Sequence, residues 1–192
     1  MTKGTIIFLN GCSSAGKTTL ARHLQSKLND VYYRIAADDF MNMVDREKMR
    51  SDFYTRSGEA LSAMHHTVKL FPDMGLHGIV DHVLLETPQE EFTTIECVRL
   101  LRTYPVLFVK VDCDLRELER RERERGDRPA GQARWQREHM HSRDIYDLRL
   151  DTGKQSADEC TRLIAGFLKK KEQWSAFDRL YQIYGDTKEE RG

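Results

Sequence analysis

Gly11-Cys12-Ser13-Ser14-Ala15-Gly16-Lys17-Thr18 is the stretch on which the reading of this chain turns. It satisfies G-x-x-x-x-G-K-[ST] at every fixed position. It follows the apolar run Ile6-Ile7-Phe8-Leu9 and precedes a segment in which Leu20, Leu24 and Leu28 recur at fours, so it sits between a strand and a helix, where such a loop has to be. Glycines let the backbone curl until successive N–H groups point inward, and the helix N-terminus adds partial positive charge. Lys17 is then expected to reach the β- and γ-phosphates of a nucleoside triphosphate, and Thr18 to place its hydroxyl on magnesium. Gly11, Ser13, Ser14, Ala15, Gly16 and Thr19 complete the expected phosphate contacts.

Working outward, further runs of branched apolar residues fall at 31–37, 77–85, 105–111 and 146–150. After three of them stand helix start signals: Thr87-Pro88-Gln89-Glu90, Asp114-Leu115-Arg116-Glu117 and Ser156-Ala157-Asp158-Glu159 each place a capping residue three positions before a glutamate. Strands alternating with helices predict a parallel sheet covered on both faces, with ligands at the carboxyl ends of the strands. The fold expected is a three-layer α/β P-loop NTPase of the nucleoside/nucleotide-kinase-like kind, with a central parallel β-sheet. A length of 192 residues suits one domain over 1–192, with a substrate-binding insertion at about 40–76, an arginine-rich lid at about 114–140 and an extra C-terminal helix at about 169–185. That last helix, with Trp174, Phe177, Tyr181 and Tyr184, is expected to cover the core, a homodimer contact being its alternative.

Composition narrows the partners. Lys+Arg and Asp+Glu number 31 each, so bulk charge offers no attraction to nucleic acid or an anionic membrane, and any affinity for phosphate must be local. The four cysteines lack disulfide-framework or zinc spacing, and no apolar run is long enough for a signal core or a membrane span; a cytoplasmic protein is expected.

The acids divide the chemistry. Asp38 and Asp39 close the second strand candidate, where neighbours point to opposite faces, so Asp38 is expected to hold magnesium or take the proton of an attacking hydroxyl while Asp39 caps the next helix. Asp81, after Ile79-Val80, has the apolar-apolar-acid pattern that positions magnesium in P-loop proteins, and His82 beside it would face the other way as a structural histidine. The base therefore lies among Asp38, Asp39 and Asp81. In the charged stretch 118–128, Arg121, Arg125 and Arg128 fall at spacings of four and three, so one side of a lid could carry several guanidinium groups to the transferring phosphoryl.

Taken together, these residues resemble the chloramphenicol phosphotransferase family of P-loop kinases. The likeness rests on Asn10-Gly11 leading into Ser13 to Lys17, on Asp38, on Arg125-Gly126-Asp127-Arg128 with Gly131 and Gln136 after it, and on His141 followed by Tyr146-Asp147 and Asp151-Thr152. The resemblance implies ATP-dependent, magnesium-dependent phosphorylation of a hydroxyl on a small molecule, with Asp38 as base, Lys17, Arg125 and Arg128 catalytic, Arg121 on the nucleotide, and Asp151 and Thr152 near its base. Residues 40–76 do not align with the family, and Asp39 and His82 depart from it, so the reaction carries over better than the acceptor. The insertion's Phe40, Met41, Met43, Met49, Phe53, Tyr54, Met64 and Phe71 would line a partly apolar acceptor pocket or belong to the core. A kinase of a nucleotide sugar, a sugar acid or a nucleoside, and a nucleotide-dependent switch protein, are the rival readings; a nucleic-acid end kinase is disfavoured by the neutral charge.

Overall fold

A computed structural model describes residues 3–126, 129–140 and 144–184 of the chain. Five strands, β1 (Ile6–Asn10), β2 (Tyr32–Ala36), β3 (His77–His82), β4 (Val106–Asp112) and β5 (Leu148–Asp151), form one sheet in the order β2-β3-β1-β4-β5, every pair parallel. Because both faces are covered, the strands read as unbroken apolar runs, and alternation along each strand sorts them into two cores. Ile6, Phe8, Val80, Val106 and Phe108 face one way, packing with Met64 and Val68 of α4 (Phe53–Asp73), Val98 of α5 (Glu91–Leu101) and Phe177 and Leu180 of α9 (Ala176–Tyr184). Ile7, Leu9, Ile79, Leu107 and Val109 face the other way. There they meet Leu20 and Leu24 of α1 (Lys17–Lys27), Leu118 of α6 (Leu115–Arg125), Ala133 of α7 (Gln132–His139) and Ile164 of α8 (Ala157–Leu168).

The two shortest helices, α2 (Ala37–Met41) and α3 (Arg46–Ser51), lead from β2 into α4. Here the structure departs from the expected end of the second strand. Asp38 and Asp39 stand in the first turn of α2 rather than on opposite faces of a strand, and Ala36 occupies the cap position. Asp39 therefore caps nothing; its Oδ2 accepts from Arg34 Nη2 at 2.6 Å. The Thr87 signal is also displaced: the Thr87 carbonyl accepts from both Glu90 N and Glu91 N, which makes a turn, and α5 begins only at Glu91. Ser156 forms the full capping box with Glu159, while Asp114 caps α6 through Arg116 N and Glu117 turns to Arg120 and Arg121 instead. Those bonds from the two arginines hold the Glu117 carboxyl down at about 2.

Past Lys169 the chain forms a short 3-10 turn (Lys171–Gln173) and α9. Phe177 lies against Phe8 and Phe108, with ring centroids 5.6 and 5.1 Å apart. Phe177, Leu180 and Tyr184 are buried there, so α9 is part of the core on the α4–α5 side. Trp174 packs against the opposite core, which separates it from the other three aromatics.

Candidate functional site

The carboxyl ends of β1, β2 and β3 meet in register, Leu9 and Ala36 both beside Asp81, and the elements leaving them enclose a cavity of about 690 Å³. Its floor is the loop between β1 and α1. Gly11 is required there because a Cβ would stand 2.2 Å from the Val111 carbonyl oxygen, a backbone atom that cannot yield. Gly16 turns the chain into α1 with φ +88°, and even Ser14 is held at φ +63°. No acid stands in the first turn of α1, so its N-terminal N–H groups remain available to an anion. Ser13, Ser14, Gly16, Lys17, Thr18 and Thr19 line the cavity, whereas Ala15 is fully buried behind it.

Alternation along β3 decides what its two polar residues do. Asp81 shares the α1 face with Ile79 and accepts from Thr18 Oγ1 at 2.6 Å, with Lys17 Nζ at 4.0 Å and Arg34 Nη1 at 3.8 Å. Lys17 Nζ also donates to the Cys12 carbonyl at 3.0 Å. Asp81 is nearly buried, and this hydroxyl and carboxylate, side by side at the phosphate loop, form a donor set of the kind magnesium takes when phosphate oxygens and water complete its shell. No group of three or more His, Cys, Asp or Glu side chains able to hold a metal occurs among the described residues.

His82 points to the other face, toward α4. Its Nε2 lies 3.4 Å from His65 Nε2, and His65 Nδ1 lies 3.2 Å from Glu96 Oε2, which leaves His82 Nδ1 buried without a partner. Burial pushes both histidines below their ordinary value, His82 strongly, and the bond to His65 lowers the Glu96 carboxyl. Asn10 closes the end of β1: its Nδ2 donates to the Tyr146 hydroxyl at 2.8 Å and its Oδ1 accepts from Leu84 N at 2.8 Å.

Asp38 and Asp39 line the cavity on the α2 side, with Arg34 between Asp39 and Asp81. Arg34 was not among the sequence candidates; its signal is a lone cation in the otherwise apolar and aromatic strand β2. None of the eight insertion residues expected around an acceptor is part of the cavity lining. Met64 is core, Phe40 and Phe71 pack against it, and Met43, Phe53 and Tyr54 are exposed.

Across the cavity, Arg121 holds Thr152 through both Nη atoms, at 3.2 Å to Oγ1 and 3.0 Å to the carbonyl, while Thr152 Oγ1 donates to the Ala15 carbonyl at 2.8 Å. The guanidinium thereby joins α6, the loop after β5 and the phosphate loop. Arg125, one turn on, is exposed and lines the cavity; Arg128 and His141 lie outside the described residues. Thr152 lines the cavity but Asp151 does not: its carboxylate accepts from Gly153 N and pairs with Lys154 at 3.0 Å. Gln155, Ala157 and Cys160 complete that wall instead.

Helix α7 crosses above the loop. Glu122, buried in an otherwise charged helix, accepts from Gly131 N and Ala133 N at 2.8 and 2.7 Å and so caps it, and Arg137 ties it to the Cys113 carbonyl. Gln136 Oε1 accepts from Ser13 N at 2.6 Å. Lysine and arginine contribute five side chains to the lining, Lys17, Arg22, Arg34, Arg121 and Arg125, against the four carboxylates of Asp38, Asp39, Asp81 and Glu124, so the lining is close to charge balance.

The chloramphenicol phosphotransferase-like protein family matches residues 4–169, a span that takes in residues 40–76, which were not expected to align with it. Two Mycobacterium tuberculosis proteins described as candidate O-phosphotransferases, from strains CDC 1551 and H37Rv, are each 27% identical over 204 residues, spanning 94% of this chain and 89% of theirs. Among solved structures, the M. tuberculosis APS kinase bound to AMPPNP and APS is similar at a TM-score of 0.62 and 20% identity, covering 88% of this chain and 99% of its own. The Acinetobacter baumannii shikimate kinase bound to shikimate is similar at a TM-score of 0.63 and 14% identity, covering 88% and 94%. These two share the three-layer fold.

Proposed function

The chain belongs to the chloramphenicol phosphotransferase-like family, and from that premise we propose that it is a small-molecule kinase moving the γ-phosphoryl group of magnesium-bound ATP onto a hydroxyl. The observation that carries this reading is the convergence on one cavity of Lys17, the Thr18–Asp81 pair and Asp38. The likeness to a kinase bound to AMPPNP supports a nucleotide on the phosphate loop.

In this reading the nucleotide lies along the loop between α1 and the Arg121–Thr152 wall, and the acceptor enters from the α2 side. Asp38 orients the acceptor hydroxyl and takes its proton, the new bond forming between that oxygen and the γ-phosphorus as the bond to the β-phosphate oxygen breaks. Lys17, Arg125 and Arg128 offset the charge on the transferring group, and Thr18 and Asp81 would hold magnesium, which neutralises phosphate charge and fixes its geometry. The chain acts as one domain, with residues 114–140 as its lid. Four buried, unpaired cysteines and the lack, among the described residues, of any helix long and apolar enough to cross a membrane fit a cytoplasmic enzyme.

Product formation from γ-labelled ATP and magnesium, with chloramphenicol beside a panel of hydroxylated metabolites and a no-acceptor control, tests the reading. Labelled product should form with at least one acceptor and fall about 10²-fold or more in Asp38→Asn, the share of a general base, while nucleotide binding persists. Tight nucleotide binding without transfer to any acceptor would favour the switch protein instead.

A further inference from the structure

Gln132 and Gln136 stand one turn apart on α7, on the side facing the phosphate loop, and both line the cavity. The Gln136 carboxamide has a settled orientation. Ser13 N can only donate, so the atom 2.6 Å from it is the amide oxygen, which leaves the Nε2 group to donate elsewhere. No described residue accepts from that Nε2. Around it the unmet hydrogen-bonding capacity is concentrated: Ser13 Oγ, Ser14 Oγ and Gln132 Oε1 are all buried without a partner. Buried polar atoms are normally paired, so several orphans between one loop and one helix mark a place built for something polar.

We propose that Gln136 is a phosphoryl-contacting residue: anchored through its oxygen to the phosphate loop, it donates its Nε2–H to an oxygen of the γ-phosphoryl group. This rests on the kinase reading above and deepens it. A neutral amide suits the task, because during transfer negative charge spreads over the equatorial phosphoryl oxygens and a fixed donor stabilises it without reorganisation. The backbone anchor contributes to that fixity, since the bond from Ser13 N restrains the rotation of the carboxamide. Gln136 forms and breaks no covalent bond and moves no proton.

Two near-isosteric substitutions separate this from the alternatives. Gln136→Glu can still accept from Ser13 N but cannot donate, whereas Gln136→Met does neither and adds no charge. Two quantities are read: kcat with whichever acceptor the panel identifies, and the ratio of AMPPNP to ADP affinity in magnesium, measured calorimetrically and needing no acceptor. Both variants should lower kcat by about 10²-fold, the loss seen when one donor to a developing oxyanion is removed. Both should also reduce the AMPPNP-to-ADP ratio about tenfold or more, with ADP affinity and melting temperature close to wild type. If Gln136→Glu matches wild type while Gln136→Met fails, Gln136 is only a latch, and the proposal is overturned. If only Gln136→Glu fails, the effect is its added charge, and the proposal is overturned again. A wild-type protein that transfers to nothing sinks the kinase reading by itself, while the affinity ratio still decides the role of Gln136.

Discussion

At the scale of single residues, placement follows from alternation and close approach. Asp81 meets Thr18 because it lies two positions from Ile79 along β3 and so shares the α1 face. Asp81→Asn retains an acceptor for Thr18 but removes the charge, so the magnesium concentration giving half-maximal activity should rise about 10- to 100-fold, as when a metal site loses a supporting group, with a much smaller change in melting temperature. An unchanged magnesium dependence would remove Asp81 from the metal's surroundings. Gly11→Ala acts differently: with Cβ 2.2 Å from a backbone oxygen of β4, β1 and β4 must part, and unfolding in urea should show a loss above about 2 kcal/mol. The loop, Lys17 and Thr18 were legible because their chemistry is local and contiguous. Arg34 was not, since its partners Asp39 and Asp81 are brought to it by a five-residue helix and a neighbouring strand that no short pattern announces.

Among the elements, those with self-contained signals were read well. Ser156 and Glu159 satisfy one another, so the start of α8 is set within four residues; Ser156→Ala should cost about 1 kcal/mol in thermal unfolding. The start of α5 is set by tertiary demands. Thr94 Oγ1 donates to the Leu85 carbonyl and Leu85 bridges to Met140, which holds the preceding segment extended and delays the helix past Thr87. Strand ends were blurred for the same reason: β5 runs Leu148–Asp151 because it must pair with Val109 to Asp112, whatever its own apolar run suggests. Helix α9 gives the sharpest check on core membership. Phe177→Ala should destabilise the protein by about 3–5 kcal/mol, as a buried aromatic does, whereas a peripheral appendage would lose far less.

For the whole molecule, a parallel sheet with both faces covered and a cavity at the carboxyl ends of its strands follow from one motif set among alternating strands and helices, whereas the order β2-β3-β1-β4-β5 was not legible there. What the sequence concealed is the polar interior between α4, α5 and β3. His65 and His82 are held neutral by burial, against the pull of Glu96 on His65 and with Lys17 further disfavouring charge on His82. Their unfolded values lie near 6.5, so below that pH the unfolded chain binds more protons. Stability is full above about pH 6.5 and declines as the pH falls, by up to about 1.4 kcal/mol per unit for each histidine, with Glu96 adding to the loss below about 4.5. Melting temperature should therefore fall steadily between about pH 7 and 5, and a flat profile would mean the pair is not neutral in the fold. The sheet order has a consequence of another kind. β1 is the divide: α2, α3 and α4 lie wholly in the connection between β2 and β3 on one side, while α6, α7 and the Thr152 turn belong to β4 and β5 on the other. The cavity wall on the α2 side is thus written in one contiguous stretch of the gene and the Arg121–Thr152 wall in another, so under the proposed kinase reading exchanging residues 37–76 with those of a relative should alter the acceptor and leave the Arg121–Thr152 wall intact.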